Sequence, residues 1–176
     1  MSATEGSRLT DEQQLSIEAL CRRLLMRYAV AVDRKDYDTF LTAFADNAVW
    51  KRPGQPPMTG VAQIRKFFEL LEAKRRSPST PSGHVQRHLF TTVHIEAIHE
   101  SLARGTAYAL VFREEQPSGG PERLRLPEVL VQYDDVFRLV AGQWLISEHD
   151  TQHVFRAADY GERITPAEAA AISAFG

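Results

Sequence analysis

The hydrophobic period of this chain changes once, near residue 84, and that change constrains the fold more than any other feature. Before it, apolar residues recur at helical spacing; after it, they alternate. Thr10 and Gln13 form a capping-box pattern, with Asp11 and Glu12 in the first turn, where the helix dipole favours negative charge. Ile17, Leu20, Cys21, Leu24 and Tyr28 then make one apolar stripe. The run YAVAV (28–32) has no polar side, so this helix end should be buried on more than one side; it finishes in Asp33. Asp36 suits the cap of a second helix carrying Tyr37, Phe40, Leu41 and Phe44. AVWKR (48–52) reads as a short strand stopped by Pro53-Gly54 and Pro56-Pro57. A third helix is predicted over about 61–75, with Ile64, Phe67, Phe68 and Leu71 on its apolar face.

The segments 84–98, 101–115, 123–139 and 143–156 read as long strands. SPSTPSG (77–83) is a loop by composition, and QPSGGPE (116–122) and Ala141-Gly142 are turn material. Short connections make consecutive strands antiparallel. Pro127 demands an edge position, a bulge or a strand start. The small-residue row Ala103, Gly105, Ala107 and Ala109 permits close approach by a helix or a partner sheet. Helices segregated from an antiparallel meander define an α+β domain, a curved antiparallel sheet covered by three N-terminal helices and enclosing a cone-shaped cavity. Residues 1–10 read as a flexible tail, 11–157 as the domain and 158–176 as a C-terminal extension containing a short helix. At 176 residues the chain suits one domain.

Charge and composition narrow the function. A net charge of -2 offers no basic excess for nucleic acid. The single cysteine, Cys21, excludes an internal disulfide and a multi-thiolate metal cage. No run approaches the ~20 apolar residues of a membrane span, and the first fourteen residues lack a signal-peptide core; a cytoplasmic protein is expected. No phosphate loop, nucleophile elbow, CxxC or HExxH occurs. His84/His88 and His149/His153 have metal-like helical spacing but fall on strands, where four residues span about 13 Å, too far for shared ligation. Neither a metal nor a cofactor is expected.

What remains is acid–base chemistry. Asp33 beside His88 would be a workable proton shuttle, the carboxylate fixing the tautomer and the imidazole moving the proton. The helical wheel sets Asp33 about 140° from the centre of the apolar stripe, which equally allows an exposed helix-terminal acid. Strict alternation puts His88 on one strand face with Gln86, Phe90, Thr92 and His94. Trp50 and Tyr28 are core aromatics able to face a ligand. Tyr133 and Asp135 share a strand face, and His149 follows GQW; each is a candidate polar wall residue.

The run RYAVAVDRKDYDTFLTAFADNAVW (27–50), RHLFTTVHI (87–95) and GQWLIS (142–147) resemble the SnoaL-like branch of the nuclear transport factor 2-like superfamily over roughly residues 11–157. The resemblance implies a cone-shaped α+β barrel and a homodimer formed through the outer sheet face. It also implies a small-molecule partner, with Asp33 and His88 in the places of scytalone dehydratase's helix-end aspartate and strand histidine. That enzyme's tyrosine before the aspartate is Val32 here, its first-strand tyrosine falls near Arg52, its late asparagine falls near Gln152, and its second histidine has no counterpart around 128–130. The expected function is therefore a related proton-transfer enzyme (isomerase, dehydratase or cyclase) acting on a small, largely apolar cyclic substrate. A non-catalytic binding or assembly module is the alternative.

Overall fold

Helix α1 (Asp11–Asp33) begins where its sequence predicts: the Thr10 side chain accepts the Gln13 N–H, and the Gln13 side chain accepts the Thr10 N–H at 2.8 Å. The computed structural model describes residues 8–76, 84–115, 127–157 and 164–175. After α1 come α2 (Tyr37–Leu41), β1 (Phe44–Lys51), β2 (Met58–Thr59), α3 (Gly60–Arg75), β3 (His84–His99), β4 (Leu102–Glu115), β5 (Val129–Val140), β6 (Gln143–Arg156) and α4 (Pro166–Ser173). The expected tail up to residue 7, the loop 77–83, the turn 116–122, the strand stretch 123–126 and residues 158–163 lie outside the described residues.

The strands form one six-stranded sheet in the order β2-β1-β6-β5-β4-β3. The β3–β4, β4–β5 and β5–β6 pairings are antiparallel, and the two-residue connections of the first and last leave no room for a crossover. The sheet stays open, and the helices complete the cone over its inner face. Pro127 lies two residues before β5, so it falls outside the strand that was expected to contain it, and that strand begins at Val129. Ala141 and Gly142 both adopt positive φ, the geometry of a two-residue hairpin between β5 and β6.

The YAVAV end of α1 is buried on more than one side, as expected: Tyr28, Ala29, Ala31 and Val32 are buried, and Val30 is 49% exposed. Three expectations are corrected. Phe44 does not continue α2, which ends at Leu41; it opens β1, four residues earlier than the predicted strand, and packs its ring against Tyr28, Phe40 and Trp50. β1 pairs in parallel with β6, a contact between segments about a hundred residues apart that no local pattern encodes. Finally, strict alternation fails along β3. A bulge at Thr91 shifts the register between Phe90 and Thr92. Gln86, His88 and Phe90 face inward before it, and Val93, Ile95 and Ala97 after it, which turns Thr92 and His94 to the outer face.

The core lies between α1, α3 and the inner sheet face. The small-residue row of β4 faces this core: Ala103, Ala107 and Ala109 are buried, and a Cβ on Gly105 would come within 2.6 Å of Ile95 Cδ1 and 3.0 Å of a Phe137 ring carbon. Burial pushes the Cys21 thiol up to about 12, so it serves as packing rather than as a nucleophile. The C-terminal helix α4 docks on α3. Gln63 Nε2 donates to the Ser173 carbonyl at 3.0 Å, Lys74 pairs with Glu168 at 2.6 Å, and Ile164 is buried at the cavity wall.

Candidate active site

Asp33 is the last residue of α1, and β3 is the last strand of the sheet. An edge strand leaves alternate backbone N–H groups without a strand partner. Asp33 takes one of them: its Oδ2 accepts the His88 backbone N–H at 2.8 Å, while Oδ1 lies 2.6 Å from His88 Nδ1. The two side chains are only 12% and 7% exposed. The exposed-acid reading of Asp33 is thereby excluded. The helical-wheel angle misled because the helix end overhangs the sheet edge instead of packing side-on. With both carboxylate oxygens engaged, Asp33 orients His88: the carboxylate accepts Nδ1–H, which leaves Nε2 as the basic nitrogen.

His88 lines a cavity of about 80 Å³, several times the ~10–15 Å³ that one water occupies on that measure. Tyr28 and Val32 of α1 and Phe67 and Phe68 of α3 line it from the helical side, and Trp50, Val111, Val131 and Tyr133 from the sheet. Trp50 is fixed by an Nε1–H donated to Thr151 Oγ1 at 2.9 Å and by stacking on Phe44 and Phe68. Tyr133 stacks on Phe90 and on His149. Burial raises the phenols of Tyr28 and Tyr133 above their ordinary range and keeps both protonated.

The wall also carries groups that the sequence did not single out. Arg52 lies over the Phe67 ring at 4.5 Å; Arg113 donates to Glu128 Oε2 at 3.0 Å and Gln86 Oε1 at 3.2 Å. Tyr37 donates to Glu72 Oε1 at 2.7 Å and accepts from Arg75 at 2.9 Å, tying α2 to α3 beside the cavity. His153 is held down to about 4 by burial, reinforced by Arg52, Arg156 and Arg113, so it is neutral at ordinary pH. Alternation had already set Gln86 on the His88 face, and alternation from Val111 would have found Arg113; Arg52 fell near the place of scytalone dehydratase's first-strand tyrosine, while Tyr37 gave no signal.

His149 is fully buried and stands behind the wall rather than in it. A register shift at Ser147 lets both Ile146 and His149 face inward. There, His149 Nδ1 lies 2.5 Å from Asp135 Oδ1, and Nε2 lies 3.1 Å from the Tyr28 hydroxyl. Sequence reading had Asp135 and His149 as separate wall residues and missed that they pair. Among the described residues, no three His, Cys, Asp or Glu side chains converge to hold a metal ion.

A bent sheet roofed by helices encloses a small cavity, with an imidazole oriented by a carboxylate at its edge, and these define an α+β cone. Residues 13–150 match the SnoaL-like domain family, and the chain belongs to it, within the nuclear transport factor 2-like superfamily. Solved structures share the fold. A candidate scytalone dehydratase from Novosphingobium aromaticivorans superposes with a TM-score of 0.69 at 16% identity, over 87% of this chain and 94% of that one. A hexachlorocyclohexane dehydrochlorinase from Novosphingobium barchaimii gives 0.66 at 15% identity, over 89% and 99%. A candidate aromatic ring hydroxylase from Novosphingobium aromaticivorans gives 0.60 at 22%, over 80% and 91%. Such identities speak for the fold alone, and these three names already span different chemistries. No curated protein sequence matches the chain.

Proposed function

We propose that this protein is a cofactor-independent proton-transfer enzyme, acting on a small cyclic molecule with an apolar body and at least one oxygen. The observation that carries the reading is the two-point attachment of Asp33 to His88, which leaves one imidazole nitrogen for the cavity. His88 Nε2 removes a proton from a substrate carbon, and the Asp33 carboxylate stabilises the imidazolium that forms. Trp50, Phe67 and Tyr133 hold the ring of the substrate in a site where few waters compete. Isomerisation, dehydration and cyclisation all share this first step. The fold neighbours named for dehydratase and dehydrochlorinase activities support the class, while the substrate is this reading's own inference. We also propose a homodimer through the outer sheet face.

Deuterium exchange tests the reading without the natural substrate. A panel of cyclic ketones, 2-tetralone among them, is incubated with the full chain in D2O and followed by NMR at the carbon next to the carbonyl. The wild type exchanges faster than buffer; His88→Ala loses at least ~100-fold of that rate, and Asp33→Asn a smaller factor. Full exchange by His88→Ala removes His88 from the mechanism. No exchange above buffer across the panel leaves the binding-module reading standing.

A further inference from the structure

The cavity wall carries charge that the Asp33–His88 step does not use. Among the described residues it holds Lys35, Arg52, Arg75 and Arg113 and no Asp or Glu side chain, although the whole chain has a net charge of -2. A cleft lined by one sign of charge and backed by apolar walls focuses its field on whatever enters. Two of these cations come from the sheet side. Arg113 follows Val111 by two residues on the inner face of β4, and Val111 stands opposite His88. Arg52 follows Trp50 by two residues, just past the end of β1. Lys35 and Arg75 add positive charge from the helical side.

Both guanidinium groups on the sheet side are held in place. Arg113, with a side chain only 17% exposed, is fixed by its bonds to Glu128 and Gln86. Arg52 Nη1 donates to Gln55 Oε1 at 3.1 Å, and Gln55 Nε2 donates in turn to the Ile164 carbonyl at 3.0 Å. Arg52 Cζ lies 4.5 Å from the Phe67 ring centroid and 5.6 Å from that of Trp50, so a fixed cation stands beside the aromatic surface. The two arginines also act on the same neighbours. Burial keeps His153 neutral, and Arg52, Arg156 and Arg113 add to that effect; burial raises the Tyr133 phenol, and Arg113 and Arg52 oppose the rise. Their fields therefore overlap on one stretch of wall. We propose that the substrate is an anion, a cyclic carboxylate whose ring lies against Trp50 and whose carboxylate is held by Arg52 and Arg113. This rests on the proton-transfer reading above. The planar fork of a guanidinium matches a carboxylate, and fixing both forks before a ligand arrives leaves little ordering for binding to oppose. The carboxylate is a handle and takes no part in the bond changes. Two residues of strand span about 7 Å, so a carboxylate on Arg113 sets a ring carbon within reach of His88 on the neighbouring strand.

Benzoate and benzamide test this, because they share a shape and differ in charge. Each is titrated into the full chain in low-salt buffer at neutral pH and followed by NMR, with the shift of the His88 ring signals marking occupancy of the cavity. Wild type binds benzoate roughly tenfold more tightly than benzamide, and the advantage shrinks as salt is raised. Arg52→Gln and Arg113→Gln each remove most of that advantage while benzamide binding stays within about twofold. Arg113→Lys, which keeps the charge and loses the fork, retains part of it. Equal losses for the two ligands, the mark of a purely structural role, overturn the proposal, as does an advantage that survives either glutamine substitution. A wild type that shows no preference for benzoate, or binds neither ligand, overturns it as well, and that comparison needs no variant to fold. Ketone exchange is read separately, on uncharged ketones. A chain that prefers benzoate yet exchanges no ketone deuterium loses the enzyme reading and keeps the anion site. One that exchanges ketones without preferring benzoate keeps the enzyme reading and loses the anionic substrate.

Discussion

At the scale of the single residue, the cavity sorts its ionisable groups by what each one touches. Asp33 and His88 hold each other at two points, and Asp135 and His149 hold each other at one. His153, near three arginines, behaves differently, because burial and those cations both disfavour its charged form. Its folded value of about 4 lies below the 6.5 of the free group, so between those limits the unfolded chain binds the extra proton. Its contribution to stability is complete above about pH 6.5 and is lost as pH falls toward 4. Urea unfolding at pH ~7 and ~5 is expected to show the wild type weaker at the lower pH, with His153→Gln narrowing the difference. An unchanged difference in His153→Gln would assign the acid sensitivity to other groups.

At the scale of the element, two bulges and one hairpin decide where side chains point. The bulge at Thr91 keeps His88 inward while freeing His94 to the outer face, and the shift at Ser147 brings His149 into the core. The β5–β6 hairpin carries a small strain. Ala141 sits at φ 48, a left-handed conformation that costs a non-glycine residue about 1–2 kcal/mol, whereas Asn tolerates it and Asn-Gly is the favoured pair for such turns. Ala141→Asn is expected to stabilise the chain by about 0.5–1 kcal/mol, readable as a rise of a few degrees in Tm by calorimetry. The turn is exposed and distant from the cavity wall, so ketone exchange stays at the wild-type rate.

At the scale of the whole molecule, the sheet offers two unlike faces. The inner one is sealed by α1 and α3, while the outer one carries a row of apolar side chains across four strands: Leu89, Leu110, Leu130 and Phe155 are successive cross-strand neighbours. Leu89 is 49% exposed and Phe155 70%, a cost in water that a second copy would remove. On the proposed homodimer, Phe155→Asp with Leu89→Lys shifts the chain toward monomer, measured by light scattering across a dilution series. A wild type that is monomeric at every concentration would end that proposal. Among the described residues, no helix is long and apolar enough to cross a membrane.

The switch of period near residue 84 was enough for the order of helices and strands, because amphipathic spacing and caps act within a few residues of themselves. Thr10 and Asp36 cap their helices and Gly142 turns the β5–β6 hairpin, each as its local chemistry requires. Asp33 and His88 were legible as a pair only with the help of a family likeness, since their separation of 55 residues leaves no periodic trace. Tertiary packing alone decided the parallel seating of β1 on β6, the capping of an edge-strand N–H by a helix-end carboxylate, and the meeting of Tyr28, His149 and Asp135. Each depends on where one element lands against another, and a single bulged residue reverses a strand's faces without altering its composition.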